Sequence, residues 1–359
     1  CWGASLMDAH ALRLRIRQGE PLLGLDFSDL YLPPGDYSGA VFIACRLPRV
    51  QALGVNLAGS RFHQCDLSGA VLDASVLDGC AFMECVLIGL SCKHVQAKEV
   101  MWQDCELQGA IWQGGAWSDT HWAQCILQSG NFDQALLQRC TWTGCRAGGL
   151  SLQSTRLEDV VVTEMDWRGS ALAGSRWHRV TAKTCNFQGM DLSGLDFSGS
   201  VLMESDFTQA DLSHTRLCGT NFKSAILNQA VLNKVQAKQA LFVQAQAQGL
   251  QIREANLTQS LWAQAHAPEA DFRGSCLQQA YFAQAVLEQA RFEHSQLRYA
   301  DFSYADCRRA RWGGAHFERT QFHRCLLDKA GQEQAAGCLP NDSALHESES
   351  WTARHMNLE

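Results

Sequence analysis

No apolar run in the 359 residues approaches the roughly 18 that a membrane-spanning helix needs, and no charged, apolar, small-residue leader opens the chain. Charge of one sign is equally scarce. Lys and Arg number 30 against 37 Asp and Glu, a net charge of -7, which excludes a polybasic nucleic-acid binder and lends no weight to a strongly acidic one. Charged residues make up only 19% of the chain and hydrophobic ones 46%, too apolar for disorder. Missing too are the Cys-x-x-Cys turns of a zinc site among the 16 cysteines, and any glycine loop leading into a helix to cradle phosphate. The chain opens at Cys1 rather than Met, which leads us to expect the C-terminal portion of something longer.

What the chain has is a period of five. From Phe27 the centres run Leu32, Tyr37, Phe42 and Leu47, then Leu57, Phe62, Leu67, Leu72, Leu77, Phe82 and Leu87. They continue through Phe187, Leu192, Phe197, Leu202, Phe207 and Leu212 and through Phe272, Leu277, Phe282, Leu287, Phe292, Leu297 and Phe302, ending at Leu327 with no insertion or deletion over 61 centres. Two residues before each centre stands a small side chain, as in Ala210-Asp211-Leu212-Ser213-His214 and Ala300-Asp301-Phe302-Ser303-Tyr304. Such a period fits neither a 3.6-residue helix nor a two-residue strand and suits a chain that turns at every unit. Of the 29 glycines, 21 fall two residues after a centre, a phase that should prefer positive φ. Gln replaces Gly there after about residue 205 (Gln239, Gln244, Gln259, Gln264, Gln279, Gln284, Gln289), which suggests a changed turn geometry.

Over residues 22–327 this A(D/N)LxX pattern resembles the pentapeptide-repeat family. The resemblance implies an all-β fold, a right-handed quadrilateral β-solenoid with four units per coil and about 15 coils, in which centre and minus-two side chains point inward. Residues 1–21 are then an N-terminal capping helix, running from an Asp8 cap to Gln18 with Leu12 and Ile16 on one face, and residues 328–359 a C-terminal cap and polar flexible extension.

Inward sizes compensate where a core must be close-packed. Ala centres follow larger minus-two residues at Val50/Ala52, Val95/Ala97, Val180/Ala182 and Val235/Ala237. Ala245/Ala247 and Ala265/Ala267 break the rule and predict local underpacking or a bend, while Trp102, Trp112, Trp117 and Trp122 crowd one another. Cys45, Cys65, Cys85, Cys105, Cys125 and Cys145 stand 20 apart, a single inward ladder. They read as small apolar fillers rather than metal ligands or disulfides. Buried reduced thiols favour a cytoplasmic protein.

The array histidines His63, His94, His121, His178, His214, His266, His294, His316 and His323 all take outward phases, and no two stack on adjacent coils. We therefore expect no catalytic, metal or cofactor site, and no small-molecule substrate, direct nucleic-acid contact or membrane. Asp191 and Asp211, followed in the same column by Arg291 and Arg311, read as a solvated face of weak ion pairs. Function should lie on the surface. Three faces read polar throughout, whereas the fourth carries Val41/Ile43, Ala81/Met83, Val161/Thr163, Val201/Met203, Leu241/Val243, Leu261/Ala263 and Tyr281/Ala283. A contiguous apolar strip marks a binding surface or one covered by the chain itself. Val201, Met203, Leu241, Val243, Leu261, Ala263, Tyr281 and Ala283 are the expected contacts for a protein partner or a second copy. The leading expectation is a non-enzymatic bacterial cytoplasmic scaffold or adaptor whose rigid β rod presents an apolar and Gln-rich surface to protein partners. The resemblance extends to arrays associated with type VI secretion, on the likeness of Leu14-Arg15-Ile16-Arg17-Gln18-Gly19-Glu20-Pro21-Leu22 to the junction before such arrays. The alternative is a DNA-mimicking protector of type II topoisomerase, which needs an acidic stripe that this balanced array lacks.

Overall fold

The computed structural model describes residues 9–334, 338–340 and 342–355, and the chain divides into two units, Cys1–Asn186 and Phe187–Glu359. Within each, five residues make one side of a coil and four sides return the chain onto itself. Within the repeats all pairing among the described residues is parallel and 20 residues apart, from Leu22↔Phe42 to Val162↔Ala182 in the first unit and from Asp191↔Asp211 to Asp306↔Leu326 in the second. At that spacing Leu22–Asn186 makes about eight coils and Phe187–Leu327 about seven. Right-handed winding is the sense that right-twisted parallel crossovers take. We number the four faces by their first centres: Leu22 on face 1, Phe27 on face 2, Leu32 on face 3 and Tyr37 on face 4.

The backbone donors of one repeat explain its consensus. Phe207 N–H donates to Ile226 O at 2.7 Å and Gln209 N–H to Asn228 O at 2.9 Å, both one coil on. Asp211 N–H reaches back to Met190 O at 2.9 Å, and Ala210 N–H closes the turn onto Phe207 O at 2.9 Å. Only Thr208 N–H lacks a carbonyl, and the Asp206 carboxylate accepts it at 2.8 Å. An Asp or Asn before the centre therefore satisfies the one donor the coil leaves over. Elsewhere a residue of the preceding coil does this work, as Asp73 Oδ1 does for Lys93 N–H at 2.8 Å.

Apart from Gly19 after α1, every described residue of positive φ lies two after a centre: glycines between 60° and 76°, and 40 other residues between 50° and 61°. The expected change of turn geometry at Gln does not occur. Gln239, Gln244, Gln259, Gln264, Gln279, Gln284 and Gln289 hold φ of 58–60°, beside 65° for Gly249 and 67° for Gly274. Each of these glutamine N–H groups is bonded to the next coil, so the ladder imposes the left-handed backbone and the roughly 1–2 kcal/mol it costs an L-residue. Geometry changes instead between units. The first carries a nine-stranded parallel sheet on face 1, from Leu22–Leu23 to Thr181–Lys183, and a five-stranded one on face 4, from Gln96–Lys98 to Arg176–His178. The second, among its described residues, pairs through isolated bridges.

Inward phases are buried as the period requires along most of the array, while Phe317 and Leu327 near its end are half-buried. In the first unit Phe42, Phe62, Phe82 and Trp102 stack within 6° of parallel at centroid spacings of 4.8, 4.7 and 4.2 Å. Trp102, Trp112, Trp117 and Trp122 interlock edge to face at 6.1–6.4 Å. Gly115 makes room for them, since a Cβ there would stand 2.6 Å from Trp117 Nε1. The cysteine ladder is structural: Cys45, Cys85, Cys105, Cys125 and Cys145 donate S–H to the carbonyl 23 residues earlier at 3.1–3.4 Å. Ser75 and Thr155 do the same with hydroxyls at 2.8 and 2.7 Å. Burial pushes the Cys80 thiol up to about 12, and Cys140 and Cys185 to about 11. All 15 described cysteines are free. In the second unit both expected weak points, Ala245/Ala247 and Ala265/Ala267, are fully buried. Trp262, in the same coil as the latter pair, stacks 4.0 Å from Phe242.

Helix α1, Ala9–Arg17, lies against the start of the first unit with Leu12 buried and Arg13 over the Tyr37 ring at 4.8 Å. Asp8, its expected cap, falls outside the described residues. The polar C-terminal stretch, read as cap and flexible extension, holds two helices, α2 (Lys329–Gln334) and α3 (Ser343–His355). Between them Leu339 pairs with Gln321 and caps the last coil, with Leu339 N–H on Thr320 O at 2.8 Å and Phe322 N–H on Leu339 O at 3.0 Å.

Candidate functional site

In the second unit, face 1 places seven of the eight expected contacts at the surface. Leu261 is 37% and Tyr281 41% exposed, and Val201, Met203, Leu241, Val243 and Ala263 are half-buried. Leu241, Leu261 and Tyr281 are successive bridge partners, so with Val243 and Ala263 they form one continuous strip. Val201 and Met203 stand apart, because Asn221 and Lys223 occupy the coil between. Ala283 is only 7% exposed and is not available to a partner.

Two amide ladders border this strip. On one edge Gln239, Gln259 and Gln279 are joined Nε2 to Oε1 at 3.0 and 2.8 Å, and on the other Gln244, Gln264 and Gln284 at 2.9 Å each. The sequence carried the signal as a Gln-rich outward surface, and the structure arranges these Gln side chains, 20 residues apart, into two ladders. The other faces are not polar throughout. Leu53, Val76 and Ile88 of the first unit are 56%, 43% and 43% exposed on faces 3, 4 and 2. Face 1 is distinguished by continuity and by its ladders, not by apolar exposure alone.

The chain itself already uses this face. Asp342 caps α3 through Oδ1, accepting from Ala344 N–H at 2.9 Å and Leu345 N–H at 3.1 Å, while its Oδ2 accepts from Gln321 Nε2 at 2.8 Å. Seven residues on, Glu349 accepts from Arg324 Nε at 2.8 Å, from the Tyr304 hydroxyl, and lies 3.0 Å from His323 Nε2. His323, expected to be outward, is therefore buried at 1% exposure, and Ser303 at 2%. The Arg324 guanidinium, then Tyr304 and His323, hold the Glu349 carboxyl down to about 2. A depressed carboxyl contributes fully above its unfolded value near 4.5 and loses its contribution as pH falls through about 2. Glu349→Ala at neutral pH is expected to raise amide exchange across Ser343–His355 by about tenfold while leaving the coils protected. Unchanged exchange in α3 would show that this clasp does not hold the helix.

Several carboxylates on the other faces pair with arginines one coil away. Asp29–Arg49, Asp119–Arg139 and Asp159–Arg179 pair at 2.7, 2.7 and 2.6 Å. Asp271 is 4% exposed and is held by Arg253 at 2.7 Å and Arg273 at 2.8 Å. These pairs break up the row of bare negative charge that imitation of duplex phosphates requires. Among the described residues no three His, Cys, Asp or Glu side chains converge as metal ligands, and no helix is long and apolar enough to cross a membrane.

The family model described as Pentapeptide repeats matches in eight copies, over residues 38–73, 185–217, 205–244, 251–289, 269–303 and 300–330. No curated protein sequence matches the chain. Among solved structures it is similar to HetL, a pentapeptide repeat protein involved in heterocyst differentiation regulation in the cyanobacterium Nostoc sp. strain PCC 7120. That match has 17% identity over 65% of this chain and 90% of the other, with a TM-score of 0.34. It is also similar to QnrB1, a plasmid-mediated fluoroquinolone resistance protein, at 14% identity over 71% and 97% and a TM-score of 0.22. A pentapeptide repeat protein of the Arabidopsis thaliana thylakoid lumen matches at 22% identity over 40% and 72%, with a TM-score of 0.14. At these identities and scores none of them transfers a role.

Proposed function

The chain belongs to the pentapeptide-repeat family, and from that premise we propose that it is a non-enzymatic scaffold that seats a protein partner on face 1 of its second unit. The observation that carries this reading is the strip of Leu241, Val243, Leu261, Ala263 and Tyr281 between two amide ladders. The occupant we favour is an amphipathic helix of that partner. Helix α3 lies on the neighbouring coils of the same face, and the exposed strip continues from there. The ladders offer hydrogen bonds at the rim while the centre offers apolar contact, the usual division of a protein interface. The finer reading sets this scaffold in the bacterial cytoplasm beside type VI secretion, on the likeness of Leu14–Leu22 to the junction before such arrays and on the buried reduced thiols. Topoisomerase protection is disfavoured by the Asp–Arg pairing along the coils.

Leu261→Asp tests the strip. Leu261 is exposed, so the melt and circular dichroism are expected to stay as they are. Recovery of a partner from bacterial lysate, with secretion components sought in the eluate, should fall about tenfold. Equal recovery together with an unchanged sedimentation profile would remove the strip from consideration. Concentration-dependent dimerisation abolished by the substitution would identify a second copy as the occupant.

A further inference from the structure

A cavity of about 430 Å³ on face 3 of the second unit is lined by Glu269, Gln289, Arg291, Arg309 and Arg311. Its place in the repeat makes it unusual. Arg291 and Arg311 are direct bridge partners, so their backbones run about 4.8 Å apart and two like charges stand on adjacent coils, an arrangement that costs stability unless something neutralises it. One coil earlier the same position is Asp271, which neutralises Arg253 and Arg273 through contacts of 2.7 and 2.8 Å. The later pair is neutralised only at longer range. Arg291 lies 3.9 Å from the already engaged Asp271 and 3.6 Å from Glu293, and its Nε–H is buried without a hydrogen-bond acceptor. Arg309 comes no nearer than 3.9 Å to Glu288, and Arg311 has no ion-pair partner among the described residues.

We propose that this cavity binds the phosphoryl group of a small hydroxylated ligand, with the anion between Arg291, Arg309 and Arg311 and the ligand's hydroxyls donating to Glu269 and Gln289. A ligand oxyanion takes the role that Asp271 plays one coil earlier. A phosphoryl group fits better than a carboxylate, since three oxygens and nearly two negative charges answer three forked guanidinium groups. Glu269 repels a bare anion but accepts from a hydroxyl, which favours a phosphate ester over inorganic phosphate. The volume suits a small metabolite. The proposal does not depend on the face 1 strip.

Calorimetry at fixed ionic strength, with inorganic phosphate and ribose 5-phosphate as probes, tests it. Both are expected to bind one to one, the ester about fivefold more tightly. Arg311→Gln, at an exposed position where the fold is safe, should weaken both about tenfold. Glu269→Gln should tighten inorganic phosphate while weakening the ester. Equal affinity for the two probes would overturn the role of Glu269 and Gln289 and assign the cavity to inorganic phosphate. No saturable binding up to about 10 mM, or binding indifferent to Arg311→Gln, would overturn the site.

Discussion

Phe282→Asp is expected to unfold the coils around it, with a loss of more than about 5 kcal/mol, comparable to the whole stability of an ordinary domain. The ring has no solvent exposure. It stacks on Phe302 at 4.8 Å and meets Phe272 and Phe292 edge-on at 5.7 and 6.0 Å. Truncating such a ring costs about 3–5 kcal/mol by lost packing alone. The carboxylate then sits among Leu and Phe centres with no cation in reach, and a buried unpaired charge adds several kcal/mol more. In a stacked array each coil draws its stability from its neighbours, so the damage spreads along the second unit. Circular dichroism and the thermal melt read the outcome. A normal spectrum with an unshifted melt would contradict the inward placement of the centres, on which the account of both units rests.

Trp122→Ala in the first unit is expected to cost about 3–5 kcal/mol, and Trp122→Phe much less. The indole is fully buried against Trp112, Trp117, Phe132 and Trp142 at 5.8–6.3 Å, so alanine leaves a cavity that rigid coils cannot close. Phenylalanine keeps the ring packing and also removes a liability. The indole N–H of Trp122, like those of Trp102, Trp112, Trp117 and Trp142, is buried without an acceptor, a condition that costs about 1–3 kcal/mol per group. Trp262 avoids that cost, because its N–H donates to Ser260 Oγ at 2.9 Å. Denaturant titration of the two variants separates cavity from hydrogen bond. Equal losses for Ala and Phe would mean that ring packing at this site contributes nothing measurable.

The coil was legible because its physics repeats. A side chain such as Leu212 or Phe282 is buried for the same reason at every fifth position, and the chain must turn left-handed two residues later each time, so 61 centres average away local exceptions. The same regularity misled at Gln259 and Gln279. Their side chains suggested a different turn, whereas the hydrogen bond to the next coil sets φ whichever residue stands there.

From its residues alone the chain specified what lies inside the coils and what lies outside, since burial of Leu and Phe at one phase and small residues at another admits a single winding. Tertiary structure alone decided how the outward side chains are spent. Docking of α3 through Glu349 onto Tyr304, His323 and Arg324, the burial of Ala283, and the assignment of Asp271 to Arg253 and Arg273 rather than to Arg291 each depend on distances between side chains that obey no period. A repeating pattern carries no information about which of several equally exposed groups meets a segment that does not repeat.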